Sequence, residues 1–226
     1  MTYLLEIEKL TKTYQSGPKR LEVLRHFDLK LEEGEMVAIM GRSGSGKTTL
    51  LNCIAGLDKI DSGQITLGGR KLNGLPSTDW DQIRQHDIGI VFQFNQLLPE
   101  FTALENVMMP GMLTTNDLVQ LEKKARDLLS QMGMADRCDH RPAQMSGGEQ
   151  QRTAIARSLI NSPRLLLADE PTGSLDYASG LEVFDLLQSL QKELKISCLL
   201  VTHNPALAQL CARIQAIDEI EPREHS

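Results

Sequence analysis

The sequence predicts an α/β fold, in which a mostly parallel sheet carries an antiparallel β portion at its N-terminal side and a helical insertion. Short apolar runs are typical of strands that are buried on both faces, and they occur at residues 36–40, 88–92, 165–168 and 196–202. Leucines spaced by three or four residues lie between the later runs and indicate helices. Strands that alternate with helices favour a parallel sheet covered on both faces.

The antiparallel portion is predicted from the N-terminal third of the chain. Residues 3–11 and 21–31 have strand patterns, and a turn at residues 16–18 separates them. Gly68-Gly69 divides residues 65–72 into two short strands, as in a hairpin. We therefore expect strands of this region to pair with their neighbours in sequence.

The helical insertion is predicted where the strand pattern stops. Residues 94–145 are rich in proline, methionine and helically spaced leucine and alanine. Two apolar helix faces are predicted, one inside this stretch and one after it: Leu118, Leu121, Ala125, Leu128 and Met132, and Leu181, Phe184, Leu187, Leu190 and Leu194.

Composition and charge exclude several classes of function. The formal net charge is −6, which disfavours a sequence-independent nucleic-acid binder and direct docking on anionic lipid. No apolar run approaches the roughly 18 residues of a membrane span, and the alternating, acidic start does not resemble a signal peptide. We expect the protein to stay in the cytoplasm, with its scattered cysteines as buried thiols.

A phosphate-binding loop is predicted after the first buried strand. Gly41-Arg42-Ser43-Gly44-Ser45-Gly46-Lys47-Thr48 fits G-x-x-x-x-G-K-[ST] between a strand and a helix. Glycines let backbone N–H groups turn towards phosphates, and the helix dipole adds positive charge. Lys47 is expected to reach the β- and γ-phosphates of ATP, and Thr48 to bind Mg²⁺; the alternative is a glycine-rich turn. The predicted nucleotide-binding residues of this region are Gly41, Arg42, Ser43, Gly44, Ser45, Gly46, Lys47, Thr48 and Thr49.

Two carboxylates follow the buried strand at residues 165–168. Parallel strands end at one edge of a sheet, so Asp169 and Glu170 should lie beside the phosphate-binding loop. Asp169 is expected to hold Mg²⁺ through water, and Glu170 to act as general base towards the attacking water. The alternative is that the two carboxylates are solvated surface groups without a catalytic role.

A second predicted anion site follows residue 145. Ser146-Gly147-Gly148-Glu149 precedes a helical run and offers a hydroxyl and glycine N–H groups at a helix N-terminus. One nucleotide has little need of two such sites from one chain. The stretch Met145 to Arg152 resembles the signature motif of the ABC (ATP-binding cassette) ATPases, usually Leu-Ser-Gly-Gly-Gln, with differences at Met145 and Glu149. The resemblance implies that Ser146 to Glu149 bind the γ-phosphate of ATP held by a second copy.

The resemblance also implies roles for single residues. Tyr14 matches the aromatic residue that stacks on adenine, although packing at a strand end is an alternative. Gln93 matches the glutamine that senses Mg²⁺, and His203 matches the histidine that contacts the γ-phosphate. Ser174-Leu175-Asp176 matches the loop that crosses the dimer interface. The implied catalytic set is Lys47, Gln93, Glu170 and His203, and the implied metal set is Thr48, Gln93 and Asp169.

The family resemblance covers nearly the whole chain and implies one nucleotide-binding domain over residues 1–226. Its P-loop, RecA-like core is expected at 1–93 and 160–226, and its helical subdomain at 94–159; the tail after residue 218 should be loose. The resemblance implies a homodimer that closes around two Mg-ATP and drives transmembrane permease subunits. A P-loop kinase would have no use for Ser146 to Gly148, and a soluble ABC protein acting on DNA or ribosomes generally has long coiled coils or two cassettes.

A narrower resemblance concerns the transported cargo. Residues 93–107, 140–142 and 168–173 resemble the ATPases of bacterial lipoprotein-releasing systems, and relatives in macrolide or peptide export and in cell division share much of this pattern. The resemblance implies LolC/LolE-like permease partners. It also places the chain peripherally on the cytoplasmic face of the inner membrane, with membrane contact through the partner only. Leu97, Leu98 and Phe101 are expected to be exposed as a docking surface, or else to pack within the helical subdomain.

Overall fold

The computed structural model describes residues 3–17 and 19–217. Pro18 of the predicted turn and the predicted loose tail after residue 218 lie outside the described residues. The strands are β1 Tyr3–Ser16, β2 Lys19–Glu32, β3 Met36–Met40, β4 Ser62–Leu67, β5 Arg70–Lys71, β6 Ile88–Val91, β7 Leu165–Asp169, β8 Ser197–Val201 and β9 Arg213–Ala216. The α-helices are α1 Lys47–Ile54, α2 Ser77–His86, α3 Ala103–Met108, α4 Leu118–Gln131, α5 Gly147–Leu159, α6 Tyr177–Leu194 and α7 Pro205–Ala208.

Two sheets form the β part of the described chain. One is antiparallel with the order β2-β1-β4-β5, and the other is parallel with the order β6-β7-β8-β3-β9. The predicted mixture of parallel and antiparallel strands is confirmed. Strands β1 and β2 are longer than predicted, because their backbones continue to pair beyond the apolar pattern, for example Tyr14 with Leu21.

Helices fill the chain between β6 and β7. The face of α4 is buried at Leu121, Ala125, Leu128 and the adjoining Met132, but Leu118 is exposed because it is the first residue of the helix. Leu194 is exposed for the equivalent reason at the end of α6. The residue bounds of the core and the helical subdomain stay a prediction.

The loop between β6 and α3 exposes apolar side chains. Phe94, Leu98 and Phe101 are 70%, 37% and 39% exposed, whereas Leu97 packs against the hydrophobic core that contains α3, α4 and α5. Buried Asn106 holds this loop, because its Nδ2 donates to the carbonyl oxygens of Leu98 and Phe101 and its Oδ1 accepts from the Leu98 N–H. Leu97 is therefore partly buried and follows the alternative of packing against the helices, while Phe94 is exposed as well.

No helix in the described ranges is both long and apolar enough to span a bilayer.

Candidate active site

Four strands of the parallel sheet deliver the predicted site residues to one edge. Strand β3 runs into the phosphate-binding loop, β7 ends in Asp169 and Glu170, and β8 is followed by His203. Gln93 follows β6, at the border of the same sheet. Because these strands are parallel, their carboxyl ends meet, and ligands of open α/β sheets bind at such an edge.

The phosphate-binding loop takes backbone angles that suit glycine. Gly44 and Gly46 have φ of 82° and 91°, backbone angles that residues with a side chain rarely adopt. A Cβ on Gly46 would also lie 2.7 Å from the carbonyl oxygen of Val23, so β2 approaches the loop closely. Helix α1 then starts at Lys47 without a side-chain cap, and its first residues, Lys47, Thr48 and Thr49, line the cleft, as an anion site at a helix N-terminus requires.

The Lys47 ammonium is held inside this loop. Its Nζ donates to the carbonyl oxygens of Gly41 and Arg42 at 2.8 and 2.7 Å, and the residue is 8% exposed while still lining the cleft. The cation is therefore held at one position in the loop, so little side-chain entropy remains to be lost when it binds a phosphate.

A hydroxyl and a carboxylate lie together beside the loop. Thr48 Oγ1 donates to Asp169 Oδ2 at 2.7 Å. Burial raises the pKa of Asp169, while the hydrogen bond from Thr48 acts in the opposite direction. Among the described residues no cluster of three His, Cys, Asp or Glu side chains could hold a metal. Mg²⁺ needs no such cluster, because one carboxylate, waters and substrate phosphates complete its shell, so this pair fits that ion.

Glu170 and His203 form a pair at the cleft. His203 Nδ1 lies 2.8 Å from Glu170 Oε1, and the Glu170 side chain is 12% exposed against 69% for His203. Glu170 has a φ of 46°, an uncommon angle for a residue with a side chain. Such backbone strain is found at sites where a side chain must be aimed in one direction.

These groups line one cleft of about 620 Å³. The predicted residues that line it are Tyr14, Ser43, Gly44, Gly46, Lys47, Thr48, Thr49, Gln93, Asp169, Glu170 and His203. Gly41, Arg42 and Ser45 belong to the same loop but do not line the cleft. Leu21 and Val23 of β2 also line it, and were not among the residues predicted from the sequence. Their only signal was alternation along a strand, which does not reveal the surface that they face.

The signature residues lie outside this cleft. Ser146 caps α5 as predicted, since its Oγ accepts from the Glu149 N–H and the Glu149 carboxylate accepts from the Ser146 N–H. Arg137 also donates to Glu149 at 2.9 Å. Ser146, Gly147, Gly148 and Glu149 therefore stand apart from the phosphate-binding loop of their own chain.

The family is settled by sequence comparison. Residues 24–173 match the family model described as ABC transporter. The chain belongs to the ABC transporter family. It is an ATP-binding, ATP-hydrolysing subunit of such a transporter, as the signature motif implied.

Individual ABC proteins match over almost the full length of the chain. The chain is 46% identical over 216 residues to "Lipoprotein-releasing system ATP-binding protein LolD" of Legionella pneumophila (strain Paris), covering 96% of this chain and 95% of the relative. It is 47% identical over 205 residues to LolD of Shewanella oneidensis, covering 91% and 89%. A solved structure described as a dimeric post-hydrolysis state of the ATP-binding cassette MJ0796, bound to ADP and Pi, has 38% identity and a TM-score of 0.87, covering 95% of this chain and 94% of that chain. This likeness confirms the predicted fold class.

Helix α5, which begins at the signature residues, is hydrogen-bonded to the segment that carries Gln93. Arg157 of α5 donates to the carbonyl oxygens of Asn95 and Gln96 at 2.6 and 2.8 Å, and Asn95 Nδ2 donates to Gln150 Oε1 at 3.0 Å. The bonds of Arg157 join residues about sixty positions apart, so no local sequence pattern predicted them.

Proposed function

We propose that two copies of this ABC subunit close around two Mg-ATP and drive the release of lipoproteins by a permease. The single observation that carries the proposal is that Ser146 to Glu149 do not line the cleft, whereas the predicted catalytic and metal-binding residues do. Each cleft then needs Ser146 to Gly148 from a neighbour. The LolD relatives and the dimeric cassette MJ0796 support the cargo and the dimer respectively.

Hydrolysis in this proposal follows from the positions of the cleft residues. Lys47 binds the β- and γ-phosphates, and the backbone N–H groups of the loop hold their oxygens. Glu170 accepts a proton from a water whose oxygen attacks the γ-phosphorus, and the bond to the ADP oxygen breaks. His203 orients the Glu170 carboxylate and contacts the γ-phosphate.

Metal binding is assigned to the hydroxyl and carboxylate pair. Thr48, Asp169 and, as a sensor, Gln93 would hold Mg²⁺. The ion would neutralise phosphate charge during the transfer. Tyr14 stacks on the adenine of ATP, and the Ser146 hydroxyl with the Gly147 and Gly148 N–H groups covers the γ-phosphate from the second copy.

Mixing two inactive variants tests whether residues from two chains together form one ATPase site. Lys47→Ala damages the loop side of a site, and Ser146→Arg damages the signature side. Each variant alone is expected to be almost inactive, since both of its sites carry a defect. In an equal mixture half of the dimers are mixed and each has one intact site, so about a quarter of the wild-type ATPase rate should return.

A second mixture provides the control for this experiment. Lys47→Ala and Glu170→Gln both lie on the loop side, so every site of their mixed dimer keeps one defect and activity should stay low. Differently tagged subunits verify that mixed dimers form. Equal rates in the two mixtures, with mixed dimers present, would contradict completion in trans.

Coupling to the permease is proposed to use the exposed loop before α3. Phe94, Leu98 and Phe101 are exposed there, and Asn106 holds the backbone of Leu98 and Phe101. The proposed partners are LolC/LolE-like transmembrane subunits, which would keep the chain peripheral at the cytoplasmic face of the inner membrane. Co-purification of a macrolide or peptide exporter or of a cell-division permease would instead assign another cargo.

Leu98→Glu is expected to uncouple the subunit from its permease. A carboxylate in the contact loses apolar burial and adds desolvation, so affinity for the permease should fall at least about tenfold. Basal ATPase should stay at the wild-type rate, while stimulation by reconstituted permease is lost. Leu210→Glu, at an exposed leucine after α7, is the control. Full stimulation of Leu98→Glu would remove this leucine from the contact.

A further inference from the structure

Tyr14 is held at the edge of the cleft by two charged residues. Its hydroxyl donates to Asp58 Oδ2 at 2.5 Å, and the ammonium of Lys12 lies 4.8 Å from the centre of its ring. Tyr14 is 37% exposed and lines the cleft, whereas Lys12 is buried and does not. One face of the ring therefore meets a cation, and the cleft side is left for a ligand.

Lys12 and Asp58 are themselves firmly bound. Lys12 Nζ donates to Asp58 Oδ1 at 2.6 Å and to the carbonyl oxygen of Lys59 at 2.7 Å. Burial acts to raise the pKa of Asp58, but hydrogen bonds from Lys12 and Tyr14 outweigh it, and the pKa lies below its ordinary value. The pair is thus charged, and both carboxylate oxygens are used.

The position of Asp58 links Tyr14 to the phosphate end of the cleft. Asp58 follows α1, and its N–H donates to the carbonyl oxygen of Asn52 in that helix. Helix α1 begins at Lys47 in the phosphate-binding loop. Asp58 thus connects the Tyr14 hydroxyl to the helix that starts in the phosphate-binding loop.

We propose that Lys12 and Asp58 are positioning residues that hold the Tyr14 ring for stacking on the purine base of ATP. The Lys12 ammonium polarises the ring from the face opposite the ligand, and the hydrogen bond to the Asp58 carboxylate stops the ring from rotating. The proposal rests on the proposed role of Tyr14 in nucleotide binding. Stacking is tolerant of base identity, so the pair sets affinity for purine nucleotides without choosing between ATP and GTP.

Steady-state kinetics with ATP, GTP and inorganic tripolyphosphate test this proposal. Lys12→Met and Asp58→Asn are each expected to raise the KM for ATP and GTP by about 3- to 20-fold, with kcat nearly unchanged. Inhibition by tripolyphosphate, which has no base, should keep its wild-type constant. Lys30→Met is the matched control, because Lys30 lies 4.9 Å from the Tyr3 ring centre in a pair away from the cleft.

The outcomes separate this proposal from the role of Tyr14. Tyr14→Ala with a wild-type KM would overturn the stacking role and with it the positioning role. A raised KM for Tyr14→Ala, with wild-type values for Lys12→Met and Asp58→Asn, would overturn the positioning role alone. Weaker tripolyphosphate inhibition in step with the KM would show that Lys12 acts through the general fold, which also overturns it. Asp58→Asn keeps an oxygen acceptor, so it remains informative if Lys12→Met does not fold.

Discussion

Glu170→Gln is expected to slow ATP hydrolysis by about 10²- to 10⁴-fold while ATP still binds. Glutamine keeps the length of the side chain and an oxygen that can accept a hydrogen bond, so its contact with His203 can persist. It cannot take a proton from water. Single-turnover hydrolysis and equilibrium binding of ATP measure the two effects separately.

The same variant should also stabilise the ATP-bound dimer. In the proposed mechanism, the γ-phosphate joins the two subunits and hydrolysis removes it, so a protein that binds but does not cleave ATP stays closed. Gel filtration with ATP should show a dimer for Glu170→Gln and a shorter-lived one for the wild type. Glu182→Gln, at an exposed carboxylate of α6, is the control. Hydrolysis by Glu170→Gln at close to the wild-type rate would assign the general base elsewhere.

Lys47→Ala is expected to lower kcat/KM for ATP by at least about 10²-fold. Hydrogen bonds to charged groups contribute about 1.5–3 kcal/mol each, and this ammonium is held ready for the β- and γ-phosphates. Its removal also takes one hydrogen-bond donor from the carbonyl oxygens of Gly41 and Arg42, although the Arg42 oxygen still accepts from the Ser45 N–H. Kinetics at saturating and limiting ATP measure the loss.

The controls for Lys47→Ala separate charge from loop structure. Lys71→Ala removes an exposed lysine of β5 and should leave the kinetics unchanged. Thermal unfolding without nucleotide should show whether the loop still supports the fold. A Lys47→Ala protein with wild-type kcat/KM would contradict the phosphate-binding role of this lysine.

Local patterns predicted the parts of the site that arise locally. The loop before α1, the carboxylates after β7 and the serine that caps α5 each lie next to the strand or helix that places them, so short stretches of sequence were sufficient. The signature residues stand apart from the cleft, in agreement with a site shared between chains, although their role stays a prediction.

Contacts between distant parts of the chain could not be predicted in this way. Val23 reaches the phosphate-binding loop through the folding of the antiparallel sheet over α1, and Asp58 reaches Tyr14 across 44 positions. For Leu97 the sequence left exposure and packing within the helical subdomain open, and its partly buried side chain packs against the core. Each outcome depends on which surface packs nearby, and periodicity in a single chain does not contain that information.

The attachment of Arg157 to main-chain oxygens has a consequence for adaptation. The guanidinium donates hydrogen bonds to the backbone carbonyls of Asn95 and Gln96. These bonds therefore do not depend on which exposed side chains this segment carries. Phe94, Gln96 and Leu98 can therefore be exchanged during evolution, or by protein engineers, without loosening the anchor. One main-chain attachment can in this way present different side chains to a partner protein.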